Sequence, residues 1–134
     1  MSYTILFLCP HGAAKSVMAA AYCQQLAGQY GLDLQAISAG TEPDATVSPS
    51  VAELLQAEGI DLTSHIPRHV IREELTTASR VISLGCDLGD LLPLGTQVER
   101  WDDVPPPSQN LMIARDLIRT YVESLVVELK KELK

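Results

Sequence analysis

Residues 3–21 read YTILFLCPHGAAKSVMAAA, and they contain the clearest structural pattern of the chain. It opens with an apolar run rich in strand-forming side chains, and an Ala-rich pattern that favours a helix begins near Ala13. The segment between them contains a proline and a glycine, so the stretch predicts a strand, a loop and a helix in succession. In such a unit, the amides of the loop and of the first helical turn form a site that attracts an oxyanion.

Cys9 stands where the predicted strand ends, and Lys15 and Ser16 stand at the start of the predicted helix. A helix N-terminus and a nearby cation favour the thiolate form of a cysteine, which is its nucleophilic form. We therefore interpret Cys9 as a nucleophile beside an anion site. The alternative is a small buried side chain at the end of a core strand, which is the commoner role of a lone cysteine.

Residues 9–16 can be compared with two known anion-binding loops. The nucleotide-binding P-loop, G-x-x-x-x-G-K-[ST], requires glycine at the positions of Cys9 and Ala14, so it does not fit. The segment instead resembles the Cys-x5-Arg phosphate-binding loop of the low-molecular-weight protein tyrosine phosphatases and the related thioredoxin-coupled arsenate reductases. In this resemblance Cys9 takes the place of the nucleophile, Lys15 that of the arginine and Ser16 that of the following serine. The resemblance thus implies an atypical member, with lysine where the family carries arginine.

The resemblance extends along nearly the whole chain. Residues 38–43 (SAGTEP) match the second-strand segment of the family, and residues 58–65 match the turn after its second helix. His11 and Gly12 stand where the family usually has glycine and asparagine, so an asparagine that braces the loop is missing. The resemblance implies a three-layer α/β sandwich, with a four-stranded parallel sheet of order 2-1-3-4 and helices on both faces.

The alternation of strand and helix patterns also predicts a parallel sheet covered by helices on both faces. A chain of 134 residues is long enough for one core, and we assign residues 1–134 to a single domain. The patterns predict strands at 3–8, 34–38, 80–84 and 98–101, and helices at about 13–28, 48–59, 70–78 and 108–133. Ligands of such sheets bind at the carboxyl ends of the strands, which places the loops after the first and third strands on one edge.

Charge, cysteine spacing and hydropathy argue against several classes of protein. The formal net charge of −7 argues against nucleic-acid binding. Cys9, Cys23 and Cys86 are too scattered for a metal site or a secreted disulfide framework, and we expect Cys23 to be a packing residue of the first helix. No segment has the pattern of a leader or a membrane span. We expect a cytoplasmic protein that binds no membrane and needs neither metal nor cofactor.

Hydrolysis of a phosphomonoester at this loop needs a thiolate that attacks phosphorus, donors for the equatorial oxygens and an acid for the leaving oxygen. Cys9 is the predicted nucleophile, and Lys15 and Ser16 are predicted to assist it. The predicted substrate-binding groups are the amides of one short run, His11, Gly12, Ala13 and Ala14. We also expect His11 and Trp101 to line the entrance.

The general acid is harder to assign. Family members carry an Asp-Pro pair some four residues after a tryptophan, and here Pro105 falls at the position of that aspartate. Asp102 and Asp103, which follow Trp101, are the candidates for this role. Their alternative role is that of solvated carboxylates in a turn that precedes the three prolines at 105–107.

Three functions follow from these assignments. The first is hydrolysis of a phosphorylated small molecule or of protein phosphotyrosine through a phosphocysteine at Cys9. The second is arsenate reduction, in which Cys86 would form a disulfide with Cys9 and a thioredoxin-like reductant would restore both thiols. The second relay cysteine of such reductases has no counterpart at residues 91–94, so a full intramolecular relay is not expected. The third is a non-catalytic, regulatory module that binds phosphate or a related oxyanion.

Overall fold

Four strands and four α-helices are distributed along residues 3–133, the part of the chain that the structure, a computed structural model, describes. The elements in chain order are β1 (Tyr3–Leu8), α1 (Lys15–Gln29), β2 (Leu34–Ala39), α2 (Pro49–Ala57), α3 (Arg72–Thr77), β3 (Arg80–Ser83), a 3₁₀ turn (Gly89–Leu91), β4 (Glu99–Arg100) and α4 (Leu111–Leu133). None of the helices in this part of the chain is long and apolar enough to span a membrane.

The four strands form one parallel sheet of order β2-β1-β3-β4, which confirms the predicted strand order. β1 lies inside the sheet because its side chains are apolar on both faces, as is typical of a parallel strand covered on both sides. Its last residue, Leu8, pairs with Ala39 of β2 and Ser83 of β3. The three strands therefore end at the same edge, and the loops that follow them meet there.

Helices cover both faces of the sheet, so the predicted three-layer α/β sandwich is confirmed. Ile5 and Phe7 of β1 are fully buried in a core cluster that includes side chains of α1, α2 and α4. Leu6 and Leu8 are fully buried on the opposite face, against α3 and the β3–β4 connection. Full burial of one such side chain contributes about 1.5–3 kcal/mol, so β1 anchors both layers.

Several boundaries differ from the predicted ones. α1 begins at Lys15 rather than near Ala13, since residues 9–14 remain an irregular loop. α3 excludes Val70, whose amide donates a hydrogen bond to the Gly40 carbonyl (2.9 Å) and ties it to another loop. α4 begins at Leu111 rather than at Ser108, because the chain first turns after the prolines, which lack amide donors.

Candidate active site

The loop at residues 9–14 follows β1, and most of its carbonyl groups accept hydrogen bonds. The Cys9 carbonyl accepts from the Gly12 amide at 3.2 Å. Three other carbonyls accept from amides of the β2–α2 loop (residues 40–48), in the pairs Pro10 with Glu42 (2.8 Å), His11 with Asp44 (3.0 Å) and Ala13 with Ser48 (2.9 Å). The two loops are therefore held side by side.

Most amide groups of the same loop are available, but that of Gly12, predicted to bind substrate, already donates to the Cys9 carbonyl. Within residues 3–133, no hydrogen bond uses the amides of His11, Ala13, Ala14 or Lys15. Unpaired backbone amides are costly away from water, and at a helix N-terminus they attract anions. These amides can therefore donate hydrogen bonds to the oxygens of a tetrahedral oxyanion.

Two glycines allow the loops to approach each other. Gly12 has a φ of +59°, a conformation that glycine adopts without strain. A Cβ on Gly40 would lie 2.6 Å from the Gly12 nitrogen and 2.7 Å from the carbonyl oxygens of Cys9 and Pro10. Any side chain at Gly40 would therefore push the two loops apart.

The sulfur of Cys9 lies at the base of the loop, and the residue is only 3% exposed. The Ser16 hydroxyl lies 3.0 Å from Sγ, and the Ser16 amide donates to Sγ at 3.4 Å. The Ser16 hydroxyl also hydrogen-bonds with that of Ser38, at 2.7 Å, and both serines are buried. Hydrogen bonds of this kind stabilise a negative charge on sulfur. Ser38, at the end of β2, is a site residue that the sequence did not single out.

Lys15, the first residue of α1, directs its ammonium group toward the end of β3. A Cβ on Gly85, whose φ is +80°, would lie 3.1 Å from Lys15 Nζ. Lys15 forms no ion pair within the described residues. Its positive charge is thus available to an anion at the loop.

A cavity of about 310 Å³ opens above Cys9. Its lining consists of Cys9, Pro10, His11, Ala13, Ala14, Lys15, Asp44, Ser48, Pro106, Pro107 and Ser108. The predicted residues Gly12 and Ser16 do not line this cavity, since Gly12 packs against the β2–α2 loop and Ser16 is fully buried beneath the sulfur. Wider clefts of about 610 and 390 Å³ lie elsewhere, and Cys9 lines neither of them.

The structure places Asp102 and Asp103 outside the cavity lining and gives each another partner. Asp102 Oδ1 accepts a hydrogen bond from the Gly85 amide at 3.3 Å. Asp103 Oδ1 accepts from the Tyr121 hydroxyl at 2.5 Å, and this bond raises the pKa of Tyr121. Trp101 is buried and stacks on Tyr121 with ring centroids 4.7 Å apart, so the indole does not line the entrance.

The other two cysteines are buried thiols. Cys86 lies just after β3, and its sulfur is 3.7 Å from Thr41 Oγ1 in the loop after β2. Burial raises the pKa of Cys86, and a negative charge on Cys9 raises it further because the two thiols are near each other. Cys23 lies in the core inside α1, where burial raises its pKa to about 12.

Asp44, Ser48 and Ser108 line the cavity, although the sequence did not single them out. His11 connects Asp44 to the anion loop, since His11 Nδ1 lies 3.1 Å from the Glu42 carbonyl oxygen and 3.4 Å from Asp44 Oδ1. The predicted strand order already places the β2–α2 loop beside the loop of Cys9. Within residues 3–133, no group of three metal-ligating side chains is close enough to hold a metal ion.

Comparisons with known proteins agree with this geometry. The sequence profile of the family described as low molecular weight phosphotyrosine protein phosphatase matches residues 4–100. A protein of Halobacterium salinarum, provisionally named an arsenate reductase, is 30% identical over 128 residues, which are 94% of this chain and 89% of that protein.

Solved structures share the fold. The crystal structure of YfkJ from Bacillus subtilis has a TM-score of 0.87 at 24% identity, and the match covers 100% of this chain and 98% of that one. A thioredoxin-dependent arsenate reductase from Corynebacterium glutamicum has a TM-score of 0.81 at 22% identity, over 98% of this chain and 63% of that one. Together with the family profile, these matches confirm the resemblance: the chain belongs to the low molecular weight phosphotyrosine protein phosphatase family.

Proposed function

We propose that the protein hydrolyses phosphomonoesters through a phosphocysteine intermediate at Cys9. The proposal rests on one observation: most carbonyl groups of the loop are hydrogen-bonded, whereas most of its amide groups are not. The β2–α2 loop occupies the carbonyls of Pro10, His11 and Ala13, while a run of amides around the sulfur has no acceptor within residues 3–133. Such a loop suits a phosphoryl group, whose equatorial oxygens need preorganised donors.

The reaction has two steps at the sulfur. The Cys9 thiolate attacks phosphorus, the S–P bond forms, and the ester P–O bond breaks with its electron pair on the leaving oxygen. Water then loses a proton as it attacks phosphorus, the S–P bond breaks with its electron pair on sulfur, and phosphate departs as the thiolate is restored. The Ser16 hydroxyl, 3.0 Å from Sγ, stabilises the negative charge on sulfur before the first step and after the second.

Lys15 is proposed to neutralise part of the phosphoryl charge. An ammonium is a point charge, whereas a guanidinium donates two parallel hydrogen bonds to two oxygens. We expect transition-state binding that is weaker by about 2–4 kcal/mol than with arginine, comparable to the loss of one oxyanion donor. The chain would then be a slow member of its family.

The proposed substrate is a phosphorylated small molecule or a phosphotyrosine side chain of a protein. No phenylalanine, tyrosine or tryptophan side chain is among the described residues that line the cavity. The organic group of the substrate would instead contact Pro10, Pro106 and Pro107, which give the entrance an apolar wall.

The test compares the wild type with Cys9→Ser, using para-nitrophenyl phosphate and trapping of a phosphorylated intermediate by rapid acid quench. We expect Cys9→Ser to lose hydrolysis and trapping while it still binds inorganic phosphate, because the amide donors remain. Cys23→Ala is the matched control, since Cys23 is remote from the cavity and should leave the rate unchanged. Equal hydrolysis by Cys9→Ser would refute the covalent mechanism.

A second candidate function is arsenate reduction, which the proximity of Cys86 to Cys9 and the name of the Halobacterium relative favour. The Cys9 thiolate would displace water from arsenate and form an S–As bond. The Cys86 thiolate would then attack the Cys9 sulfur, so that the disulfide forms and the electron pair of the S–As bond reduces arsenic(V) to arsenite. A dithiol of the thioredoxin class would reduce the disulfide.

Cys86→Ser separates the two candidate functions. Phosphate-ester hydrolysis does not use Cys86, so a hydrolase should retain its rate in this variant. Arsenate-dependent oxidation of NADPH, coupled through thioredoxin and its reductase, should disappear if Cys86 supplies the second thiol. Phosphate binding by a wild type that performs neither reaction would support the oxyanion-binding regulatory module instead.

A further inference from the structure

Hydrolysis of an unactivated phosphate ester requires a proton donor for the leaving oxygen. The two acids nearest to Trp101 in sequence are engaged elsewhere. Asp102 accepts from the Gly85 amide, and Asp103 accepts from the Tyr121 hydroxyl of α4. Neither carboxylate is among the residues that line the cavity above Cys9.

One carboxylate does line that cavity, and it comes from a different loop. Asp44 belongs to the β2–α2 loop, and its amide donates to the His11 carbonyl at 3.0 Å. Its carboxylate lies 3.4 Å from His11 Nδ1. The backbone bond fixes the register of Asp44 beside the anion loop, and the imidazole restrains its side chain.

The solvent exposures of Cys9 and Asp44 suit an in-line displacement at phosphorus. Cys9 is 3% exposed, at the base of the site, whereas the Asp44 side chain is 56% exposed. In a displacement at phosphorus, the leaving oxygen departs on the side opposite the nucleophile. It therefore departs toward the mouth of the cavity, where Asp44 lies.

We propose that Asp44 is the general acid of the reaction and that His11 is its positioning residue. The proposal rests on the proposed function, since it concerns the leaving group of the same hydrolysis. In the first step, the Asp44 carboxyl gives its proton to the leaving oxygen as the P–O bond breaks. In the second step, the Asp44 carboxylate takes a proton from the water that attacks phosphorus, which restores the acid.

Two side chains that can carry a positive charge share the cavity lining with Asp44. His11 comes from the anion loop and Lys15 from α1, and the segment from Pro106 to Ser108 adds no charged side chain to the lining. Ser48 and Ser108 are the remaining hydroxyl groups in the lining, and aliphatic hydroxyls are far weaker proton donors than a carboxyl group. Asp44 is thus the carboxyl group available to this cavity among the described residues.

The test measures kcat/KM of the full chain and of Asp44→Asn for aryl phosphates whose phenols differ in acidity. A general acid matters most for a poor leaving group. We expect Asp44→Asn to lose about 100-fold with phenyl phosphate but less than about tenfold with para-nitrophenyl phosphate. The basic limb of the wild-type pH profile should disappear as well. Asp33→Asn is the matched control, because this exposed residue precedes β2 at the other end of the sheet.

Two further variants make the result decisive. Asp44→Glu should restore part of the rate with phenyl phosphate, and His11→Gln should lower it without removing the basic limb. An equal loss with both substrates in Asp44→Asn, or a leaving-group-dependent loss in Asp102→Asn instead, would overturn the assignment while leaving the proposed function intact. A wild type without Cys9-dependent hydrolysis would overturn both.

Discussion

The ammonium group of Lys15 packs against Gly85, where a Cβ would lie only 3.1 Å from Nζ. The position of Lys15, which we propose takes the place of the family's arginine, therefore depends on the absence of a side chain just after β3. Asp102 also contacts Gly85, because its carboxylate accepts a hydrogen bond from the Gly85 amide. The Asp102 carboxylate therefore helps to position Lys15 through Gly85.

Gly85→Ala should displace Lys15, and Gly95→Ala is its matched control. Both glycines have positive φ, +80° and +85°, so each substitution should lower the free energy of unfolding by about 1–2 kcal/mol. A Cβ at Gly95 meets no atom within 4 Å, whereas a Cβ at Gly85 meets Lys15 Nζ. We expect kcat/KM to fall roughly tenfold in Gly85→Ala alone. Equal activities in the two variants would mean that the position of Lys15 does not matter.

Lys15→Arg should raise the rate of phosphate-ester hydrolysis. A guanidinium can bind two phosphoryl oxygens at once, and the proposed deficit of about 2–4 kcal/mol corresponds to a gain of roughly 30- to 800-fold. Lys15→Met, which keeps the chain length without the charge, should lower the rate. A decrease in Lys15→Arg, measured with the same aryl phosphate, would indicate that the loop is adapted to the smaller cation.

Ser16→Ala should slow catalysis more than Ser38→Ala. Ser16 touches the Cys9 sulfur directly, at 3.0 Å, whereas Ser38 acts through Ser16. A hydrogen bond to a charged group contributes about 1.5–3 kcal/mol, so we expect a loss of about tenfold or more in Ser16→Ala and a smaller loss in Ser38→Ala. The ultraviolet absorbance of the thiolate, followed during a pH titration, provides a second measurement. A larger loss in Ser38→Ala would contradict this order.

Much of the fold could be predicted from the sequence because its decisive patterns are local. The apolar run of β1 and the loop before α1 specify a strand, a turn and a helix within one short stretch. Cys9 and Lys15 could be placed for the same reason, since both belong to that stretch. The family resemblance then supplied the strand order, which periodicity alone does not fix.

The rest of the site depends on contacts between segments that are distant in sequence. Ser38 approaches Ser16 only because β2 pairs with β1 in register, and Asp44 approaches His11 only because the β2–α2 loop follows that pairing. Asp103 faces Tyr121 because α4 returns along the sheet. Such hydrogen bonds have no periodic signature, so local patterns could predict neither the lining residues Asp44, Ser48 and Ser108 nor the partners of Asp102 and Asp103.

Gly40→Ala should disrupt the anion loop, and Gly28→Ala is its matched control. The added methyl group would meet backbone atoms of Gly12, Cys9 and Pro10 at 2.6–2.7 Å, and a backbone cannot rotate away as a side chain can. We expect a loss of several kcal/mol in stability together with weaker phosphate binding. Gly28 lies within α1 with no atom near its Cβ, so Gly28→Ala should stabilise the protein by about 0.5–1 kcal/mol. Unchanged phosphate binding in Gly40→Ala would contradict the close approach of the two loops.

Arg68 and Glu74 should make the stability depend on pH. The guanidinium donates to both carboxylate oxygens of Glu74, at 2.8 and 2.5 Å, and the Ile71 amide donates to the same carboxylate at 3.0 Å. These hydrogen bonds lower the pKa of Glu74 below its ordinary value of 4.5. The Arg68 carbonyl also accepts from the Gly40 amide at 3.0 Å, so this ion pair supports the β2–α2 loop.

A carboxyl group whose pKa is lower in the folded state stabilises the protein above its ordinary pKa, and this contribution disappears as the pH falls through the lowered value. Because the Arg68 side chain is 43% exposed and screened by solvent, we expect Glu74→Gln to cost only about 1 kcal/mol at neutral pH. The difference from the wild type should shrink steadily below the ordinary pKa of Glu74. Urea unfolding of both proteins between neutral pH and about pH 3 measures it, with the exposed Glu73→Gln as control. A difference that stays constant across this range would show that the ionised Glu74 carboxylate contributes no net stability.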